Sequence, residues 1–516
     1  RITNNARKIC KEIFMKFKDM VYNRMDSNET VEKVNALIGK IKEAKSGEEV
    51  FAVHKEFYKL SSDFFTSFTL ANIRHDIDTT DEFYDQENEF YDEAIPVIMN
   101  CMNEYQRALF ESPYRAFMEE KIGKVVFKNI EIALKSMDEK LIPFMQEENT
   151  LTSKYAKLLA SAKIPFEGEI YNLSLMTKFT TSSDREVRRK AYEALSVFFT
   201  ANQEELDDIY DKLVKNRTQQ AKEMGYDNYV ELGYYRMNRN CYDKTMVENF
   251  RNQVKQYMVP YVERLNEERR KKIQLDKLTF IDNGIFFVEG NPKPFGTPEE
   301  ILEAGQRMYS ELSPETKEFF DFMSENELFD VFGRKTKKTG GYMTYLPNYK
   351  SPFIFANFNG TSGDVDVITH ECGHAFQGYL MREDEILEHA EITMETAEIH
   401  SMSMEYFTYG WMEQFFADRA DDYRFMHKVD AAVFIPYGCM VDEFQHIVYE
   451  NPEMSPVERR ETWLKLEKEY RPGLDYDGLA FYSQGGLWQR QAHIYESPFY
   501  YIDYCLASVC AMQFKV

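Results

Sequence analysis

The spacing of apolar residues predicts a mainly helical chain. From Asn5 to about Asp276, apolar residues recur every three or four positions, as they do from Tyr155 to Ala162. This spacing places them along one face of an amphipathic helix. The clearest break is the loop from Gly290 to Thr297, which is rich in Gly and Pro. A new helix is predicted from Pro298, because Thr297 is an N-cap residue and proline suits the first helical position.

The helical pattern gives way between Gly340 and Phe358. This stretch holds two aromatic-rich segments bounded by Gly and Pro, one from Gly340 to Tyr349 and one from Ser351 to Phe358. Residues of these types favour strands. We therefore predict two short strands, and with them a small β-sheet in a mainly α fold.

Length and charge narrow the possible architectures and partners. A chain of 516 residues can bury more than one hydrophobic core, so we expect two lobes that face a cleft. Its 63 Lys and Arg residues stand against 87 Asp and Glu residues, which gives a net charge of −24. A field of this sign repels polyanions, and we therefore expect no nucleic-acid partner.

Cysteine usage and hydropathy indicate where such a protein works. The seven cysteines are scattered over the chain without a CxxC pair, which is typical of reduced thiols in a cytoplasmic protein. No apolar run approaches the roughly 18 to 20 residues that a membrane span requires. The best candidate, Ala431 to Val441, is interrupted by Pro436. We expect it to be buried core, and we expect no membrane partner.

The segment from His370 to His374 carries the most specific chemistry in the sequence. Its two histidines are four residues apart, a spacing that stacks both imidazoles on one helix face, where a tetrahedral metal ion can bind one nitrogen of each. Glu371 lies beside them as a candidate general base for a water molecule. Cys372, inside the motif, is expected to pack inertly on the other face of the helix.

A catalytic zinc ion requires a third protein ligand and an open position for water. A second predicted helix, running from Met394 to Phe416, carries two carboxylates that could supply this ligand, Glu395 and Glu398. Periodicity alone does not choose between them. His400 lies near Glu398 in the sequence. We expect it to be structural, together with the other remaining histidines, which are His54, His75, His389, His427 and His446.

Four segments resemble the thimet oligopeptidase and oligoendopeptidase F family of zinc metallopeptidases, and they follow the order of that family. Asp364 to Gln377 is similar to the motif helix of the family, and Ala397 to Ser401 to the signature of its second helix. Gly340 to Phe353 resembles the strand pair along its substrate channel. His493 to Tyr504 resembles its C-terminal segment of His and Tyr residues.

The resemblance implies a complete metal site. It makes Glu398 the third ligand, so that each chain binds one Zn²⁺ through His370, His374 and Glu398. Glu371 then takes a proton from water and passes it to the departing amine.

The resemblance also assigns hydrogen-bond donors to the C-terminal segment. It implies that His493 and the pair Tyr501 and Tyr504 donate to the substrate carbonyl and to the oxyanion that develops on it. The two tyrosines are three residues apart and can share one helix face. Because the stretch between His493 and Tyr501 is shorter than in thimet oligopeptidase, Tyr495 and Tyr500 are also possible in this role.

The resemblance further implies two helical lobes around a deep substrate channel, with the small β-sheet beside the HExxH helix. We divide the chain into an N-terminal helical lobe, residues 1–165, and a catalytic metallopeptidase region, residues 166–516, whose zinc-site core spans about residues 340–505. A channel of this kind admits peptides and excludes folded proteins. The predicted function is therefore a zinc-dependent oligoendopeptidase, which hydrolyses internal bonds of short peptides.

Two other functions stay open from the sequence. A metallocarboxypeptidase of similar helical fold requires a cationic clamp for the free carboxylate of its substrate, and Arg471 and Arg490 lie near the right segment. A catalytically inactive peptide-binding helical module is the second alternative. Glu371 argues against it, because a binding module has no need of a general base.

Overall fold

The computed structural model of the chain describes residues 15–515, and within them the chain is mainly helical, as predicted. The start of the predicted helical stretch at Asn5 lies outside the described residues, and so does Cys10. The six cysteines within the described part are free.

The N-terminal part is a bundle of helices. Its bounds are α1 Ser27–Glu43, α2 Gly47–Ile77, α3 Glu82–Phe110, α4 Arg115–Ile122, α5 Lys124–Leu134 and α6 Ile142–Ala160. Helices α1 and α3 begin after Asp26 and Asp81, whose side chains accept hydrogen bonds from first-turn N–H groups. Val34, Phe64 and Tyr105 are fully buried in the core that these helices share, and this core defines the N-terminal lobe.

A short hairpin and a second group of helices follow. The hairpin pairs β1 Ile164–Phe166 with β2 Glu169–Tyr171, and the predicted domain boundary at residue 165 falls inside its first strand. That boundary stays a prediction. The helices are α7 Thr177–Thr180, α8 Arg185–Ala201, α9 Gln203–Glu223, α10 Tyr229–Arg236, α11 Lys244–Gln253 and α12 Val259–Lys272, with a π-helical segment Val254–Met258 between the last two.

The C-terminal part begins with the helix predicted at Pro298. In this helix the Thr297 side chain accepts from the N–H of Glu300, whose carboxylate accepts from the N–H of Thr297; this reciprocal pair is a capping box. The elements are α13 Pro298–Leu312, α14 Pro314–Glu325, β3 Phe329–Phe332, β4 Tyr342–Leu346, β5 Ser351–Phe358, α15 Gly363–Met381, α16 Met394–Phe407, α17 Glu413–Phe416, α18 Ala420–Glu450, α19 Pro456–Tyr470, α20 Ala480–Ser483, α21 Ala492–Glu496 and α22 Tyr501–Lys515.

The second sheet has three strands in the order β3-β5-β4. The two strands predicted from sequence are β4 and β5, which pair antiparallel with Tyr342 opposite Phe355 and Leu346 opposite Ser351. Strand β5 is buried along nearly its whole length, and α15 packs on it. Strand β4 therefore forms the edge of this sheet, next to the motif helix.

Two contacts hold the N-terminal lobe against the edge strand. The Tyr342 hydroxyl donates to Asp76 Oδ2 at 2.9 Å, and the Asn348 N–H donates to Thr66 Oγ1 at 2.9 Å. Both acceptors belong to α2. Helix α2 thus packs directly against β4 and against the 3-10 turn Pro347–Tyr349 that follows it.

Helix α18 contains the apolar run that was assigned to the core. Pro436 and Val441 are buried within it, and its central residues join the core that contains Trp463 and Trp488. Among the described residues, no helix combines the length and the apolar character that crossing a membrane requires.

Candidate active site

One face of α15 is apolar and packs into the core, which leaves the motif histidines on a different face. Val365, Ile368 and Cys372 are buried in the core beneath the sheet, at the three- and four-residue spacing of one helix face. Burial raises the pKa of the Cys372 thiol, in keeping with inert packing. His370 and His374 lie on a different face, with their ring centroids 5.0 Å apart.

A glycine inside the motif lets the second helix approach. A Cβ atom at Gly373 would lie 2.6 Å from Cα of Ser401 and 2.9 Å from the carbonyl oxygen of His400, so only glycine fits between α15 and α16. Helix α16 ends at Phe407 rather than at the predicted Phe416, because the chain passes into a 3-10 turn at Thr408–Trp411. The close approach brings the carboxylate of Glu398 to the histidines.

The two histidines and Glu398 form a group that fits a metal ion. Glu398 Oε2 lies 3.1 Å from His370 Nε2 and 3.6 Å from His374 Nε2, and the three ligand atoms lie within 4.8 Å of one another. Bonds of about 2.1 Å in a tetrahedron separate ligand atoms by roughly 3.4 Å. Two imidazoles and one carboxylate at these distances suit zinc with an open fourth position.

Glu395, the alternative third ligand, lies elsewhere. Its carboxylate accepts a hydrogen bond from the Thr393 hydroxyl at 2.6 Å, and its charge acts on Tyr242 and Asp503 rather than on the histidines. The structure thus groups Glu398, and not Glu395, with His370 and His374.

Glu371 is a buried carboxylate without a partner for one oxygen. Among the described residues, no hydrogen bond reaches its Oε2 atom, and burial raises the pKa of the side chain to about 7. A Cβ atom at Gly341 would lie 3.8 Å from Glu371 Oε1, so this glycine leaves space above the carboxylate at the start of β4. A group that is buried, unpaired and easily protonated can accept a proton from a bound molecule.

His370 is supported from behind by a chain of hydrogen bonds. Its Nδ1 atom lies 2.6 Å from Glu405 Oε1, and Glu405 Oε2 lies 2.6 Å from His427 Nε2. His427 Nδ1 in turn bonds to the Tyr409 hydroxyl at 2.7 Å. Although burial raises the pKa of Glu405, the bonds to His370 and His427 lower it to about 2. A carboxylate in this position fixes the orientation of a ligating imidazole.

Sequence reasoning missed Glu405 and took His427 to be structural. Glu405 lies seven residues after Glu398, which is two helical turns, so both carboxylates lie on one face of α16. This spacing is the signal that could have identified it. His427 lies on α18, and only the tertiary fold brings it to Glu405.

The C-terminal segment brings His493 and Tyr504 together. The Tyr437 hydroxyl donates to Gln491 Oε1 at 3.1 Å, which leaves the Gln491 amide N–H to donate to His493 Nδ1 at 2.9 Å. His493 Nε2 therefore carries the ring proton and donates it to the Tyr504 oxygen at 3.1 Å. Tyr504 also has a side-chain hydrogen bond with Tyr500.

Tyr500 reaches the metal group more directly than the tyrosines predicted from sequence. Its hydroxyl donates to Glu398 Oε1, and its ring lies 5.0 Å from that of Tyr504. Phe499 has a φ of 67°, in the left-handed region, and the resulting turn before α22 directs Tyr500 towards Glu398.

Tyr501 and Tyr495 lie farther from the metal group. The Tyr501 ring packs against Phe434 and Tyr437, and within the described part of the chain its hydroxyl bonds neither Glu371 nor Glu398. Tyr495 is fully buried, and its hydroxyl donates to the carbonyl of Leu206 at 3.2 Å. Tyr501 does line the cavity on the His370 side. Of the four tyrosines, Tyr500 is the one that bonds to Glu398, and Tyr504 the one that bonds to His493.

Two cavities flank the metal group. On the His370 side, a cavity of about 340 Å³ is lined by Asp366, Glu405 and Asp430 and also by His493 and Tyr504. On the His374 side, a cavity of about 470 Å³ is lined mainly by apolar side chains of both lobes. Both cavities are lined mainly by apolar surface, and the one on the His370 side also contains three carboxylates.

Comparisons with known proteins extend over nearly the whole chain. Residues 17–137 match the Peptidase M3 N-terminal domain, and residues 178–515 match Peptidase family M3. The oligoendopeptidase F homolog of Borreliella burgdorferi is 22% identical over 532 residues, which cover 96% of this chain and 87% of that protein. The matched segments include every residue of the site described above.

Solved structures share the fold. The structure of PZ peptidase A with an inhibitor is 48% identical, covers 97% of this chain and 89% of its own, and has a TM-score of 0.96. The oligoendopeptidase F structure from Enterococcus faecium is 14% identical over 94% of this chain and 87% of its own, with a TM-score of 0.53. This second likeness concerns the fold alone, and both agree with the predicted mainly α architecture.

Proposed function

This chain belongs to peptidase family M3, as the four motif segments predicted, and we propose that it is a zinc-dependent oligoendopeptidase. It is thus a metallopeptidase, and the proposal adds the metal, the ligands and the hydrolysis of internal bonds in short peptides. The observation that carries it is the unpaired, buried carboxylate of Glu371 beside the group His370, His374 and Glu398.

The proposed metal ligands are His370, His374 and Glu398, one set per chain. Zinc in such a site supplies Lewis acidity, which lowers the pKa of water and polarises a carbonyl oxygen. Glu405 holds His370 in the orientation that binding requires, through the bond at Nδ1.

The chain's own residues then handle the protons. Glu371 takes a proton from the water that attacks the carbonyl carbon, and as the C–N bond breaks it passes this proton to the departing amine. Tyr504 donates a hydrogen bond to the carbonyl oxygen as negative charge develops there, and His493 orients the Tyr504 hydroxyl through its Nε2–H. We add Tyr500 to the proposed hydrogen-bond donors of the site. The hydrogen bond predicted from Tyr501 to the oxyanion stays a hypothesis.

The edge strand β4 is the proposed platform for the substrate. An extended peptide can pair with the free edge of β4 through main-chain hydrogen bonds, which tolerate many side chains. Gly341, before the strand, leaves room for the peptide above Glu371. Helix α2 packs beside this strand, and its presence there favours peptides over folded proteins as substrates.

The two arginines that the carboxypeptidase alternative would use as a clamp have other contacts. Arg490 bonds to the Tyr482 hydroxyl at 3.0 Å, and Arg471 lies over the ring of Tyr437. Neither arginine lines the two cavities beside the metal group. A free carboxylate of a substrate at the site therefore has neither of the two arginines to bind it.

The location and partners follow the same reasoning. Free cysteines throughout the described part support the cytoplasmic location that the sequence predicted. The proposed partners are oligopeptides. The prediction that nucleic acid is not among them rests on the net charge of −24.

Digestion of a peptide mixture of graded length tests this function. The purified chain, loaded with zinc, is expected to cut internal bonds of short peptides, as read by mass spectrometry. A chelator should abolish cleavage, and added zinc or cobalt should restore it. Stepwise loss of residues from the C-terminus would instead support the carboxypeptidase, and full activity without any metal would refute the zinc site.

A further inference from the structure

Among the described residues six arginines are buried, and one of them lacks an ionic partner. Five form an ion pair with a buried or partly buried carboxylate: Arg188, Arg217, Arg239, Arg251 and Arg459. The sixth is Arg269, in the last turn of α12. Within the part of the chain that the structure describes, no carboxylate lies within ion-pair distance of its guanidinium group. A buried charge without a counter-ion is strongly unfavourable, so Arg269 is an exception that needs a cause.

The guanidinium group of Arg269 has hydrogen-bond donors without acceptors. Its Nη1 atom donates to the carbonyl oxygen of Asn283, but its Nε atom is buried and has no acceptor among the described residues. The side-chain amide nitrogen of Asn283 is likewise buried and has no acceptor there. Unsatisfied donors on two residues in contact indicate a ligand that accepts hydrogen bonds.

Neighbouring acids do not supply the missing charge. Burial lowers the pKa of Arg269, and the charge of Asp430 opposes this effect only in part. Burial also raises the pKa of Asp430 itself to about 7, so its carboxyl group is partly protonated at neutral pH. In Arg217, by contrast, nearby acidic groups outweigh burial and raise the pKa. Arg269 therefore remains a buried cation whose charge is not compensated.

Arg269 lines a small cavity together with a second arginine, Arg471. Arg471 follows the last residue of α19; it lies over the ring of Tyr437 and has no ion pair within the described residues. The cavity has a volume of about 90 Å³, and Asn283 is part of its wall. This volume exceeds the roughly 30 Å³ that one water takes up in the liquid and is well below the roughly 300 to 1,000 Å³ of small-molecule pockets. Its size suits an ion of a few atoms.

Two carboxylates also line the cavity, those of Glu263 and Asp475. The Asp475 carboxylate bonds to the ammonium group of Lys277 and accepts from the N–H of Asp477 at 2.8 Å, so its charge is already matched. Glu263 alone opposes the two guanidinium groups, which leaves the lining with a net positive charge. Gly473, another residue of the wall, is exposed, so an ion can enter from solvent.

We propose that the cavity between Arg269 and Arg471 binds a small inorganic oxyanion, such as phosphate or sulfate. The planar fork of a guanidinium group donates two parallel hydrogen bonds to the oxygens of such an ion, and the Asn283 amide adds a further donor. The ion links the end of α12 to the end of α19 beside α18, whose residues Val433 and Pro436 line the cavity. No residue of this cavity lines either of the two beside the metal group, so the site is a separate one.

A thermal-unfolding experiment tests the site in the zinc-loaded full chain. Sodium phosphate replaces sodium chloride at constant ionic strength, so that the screening of surface charges does not change. We expect about 20 mM phosphate to raise the Tm of the parent by about 2 °C, and Arg471→Gln should lose most of this gain. Arg264→Gln is the matched control and should keep the gain, because Arg264 is an exposed arginine of α12 outside the cavity.

The comparison between variants also separates this site from the metal group. Phosphate bound to the metal would raise the Tm of all three chains alike, so the difference between Arg471→Gln and Arg264→Gln reports on this cavity. No gain in the parent, or an equal gain in all three chains, would overturn the proposal. The measurement needs no turnover and is therefore independent of the proposed function.

Crystals soaked in selenate locate the ion directly. Selenate has the tetrahedral shape of phosphate, and its selenium atom gives an anomalous diffraction signal. We expect an anomalous peak within hydrogen-bond distance of Arg269 and Arg471 that is absent from crystals of Arg471→Gln. Selenate peaks elsewhere with none in this cavity would refute the site. A peak of equal height in the Arg471→Gln crystals would mark an adventitious ion only and would likewise refute it.

Discussion

The two histidines of the motif lie one turn apart on α15, yet their surroundings have little in common. Behind His370, Glu405 and His427 form a hydrogen-bonded chain. Burial lowers the pKa of His370, but the bonds to Glu398 and Glu405 outweigh it and raise the pKa well above its usual value. Around His374 lies the apolar cavity, and burial, followed by the charge of His370, lowers its pKa to about 4.

The two histidines therefore differ in what holds each imidazole ring in place. A carboxylate behind His370 fixes the ring, and the cavity on that side also contains the carboxylates of Asp366 and Asp430. His374 has no second carboxylate among its hydrogen-bond partners in the described part of the chain, and its side of the site stays open to the substrate. The motif thus pairs a histidine that a carboxylate holds from behind with a histidine that lacks such support among the described residues.

The largest effect is expected at Glu371, because its carboxylate is proposed to take the proton from water. Glu371→Gln is expected to lower kcat by about 10³- to 10⁴-fold, since an amide can orient water but cannot accept its proton. Zinc content, Tm and peptide binding should be unchanged. Near-parent turnover in a preparation free of parent enzyme would remove Glu371 from the mechanism.

Tyr504 tests whether the cavity on the His370 side also serves the reaction. Tyr504→Phe is expected to lower kcat by about 100-fold with little change in KM, because the hydroxyl acts on charge that develops in the transition state. Tyr501→Phe serves as the comparison with an equal change in chemistry. If Tyr501→Phe costs as much as Tyr504→Phe, the pair predicted from sequence is restored.

A Glu405 variant tests whether the carboxylate behind His370 strengthens zinc binding. Glu405→Gln is expected to weaken zinc affinity by about 10- to 100-fold, because an amide holds the His370 ring less firmly than a carboxylate does. Competition with a zinc-binding dye measures the Kd. Glu395→Gln, on the same helix, is the control and should leave the Kd at the parent value. If Glu395→Gln weakened zinc binding and Glu405→Gln did not, Glu395 would again be a candidate metal ligand.

The smallest effect concerns the edge strand. Methylation of a single peptide N–H that pairs with β4 removes one hydrogen bond, worth about 1 kcal/mol or roughly fivefold in kcat/KM. A scan of one N-methyl group along a good substrate should show losses at alternate positions, because neighbouring residues of a strand point their N–H groups in opposite directions. Uniform indifference along the peptide would argue against pairing with β4.

Local sequence patterns predicted much of this site. The spacing of His370 and His374 requires only a helix, and the aromatic-rich segments before it gave β4 and β5. Family resemblance, rather than periodicity, selected Glu398 over Glu395. Each of these features depends on residues close in sequence.

Long-range packing produced what the sequence did not predict. His427 reaches Glu405 only because α18 crosses behind α16, and nothing near either residue in sequence indicates this. Tyr500 precedes the first residue of α22. The family resemblance, with which the three-residue spacing agrees, favoured Tyr501 and Tyr504 and left Tyr500 as an alternative. The left-handed turn at Phe499 is unusual for a phenylalanine, and no local pattern foretells it.

The contact at Gly373 has a consequence for mutational tolerance. In a general HExxH motif the fourth position is free to vary, but here a single methyl group at residue 373 would collide with the backbone of Ser401. The helices would have to separate, and Glu398 would withdraw from both histidines together. In this chain the motif is therefore His-Glu-x-Gly-His, and a saturation library should find position 373 as restricted as the ligands themselves, although its residue touches neither metal nor substrate.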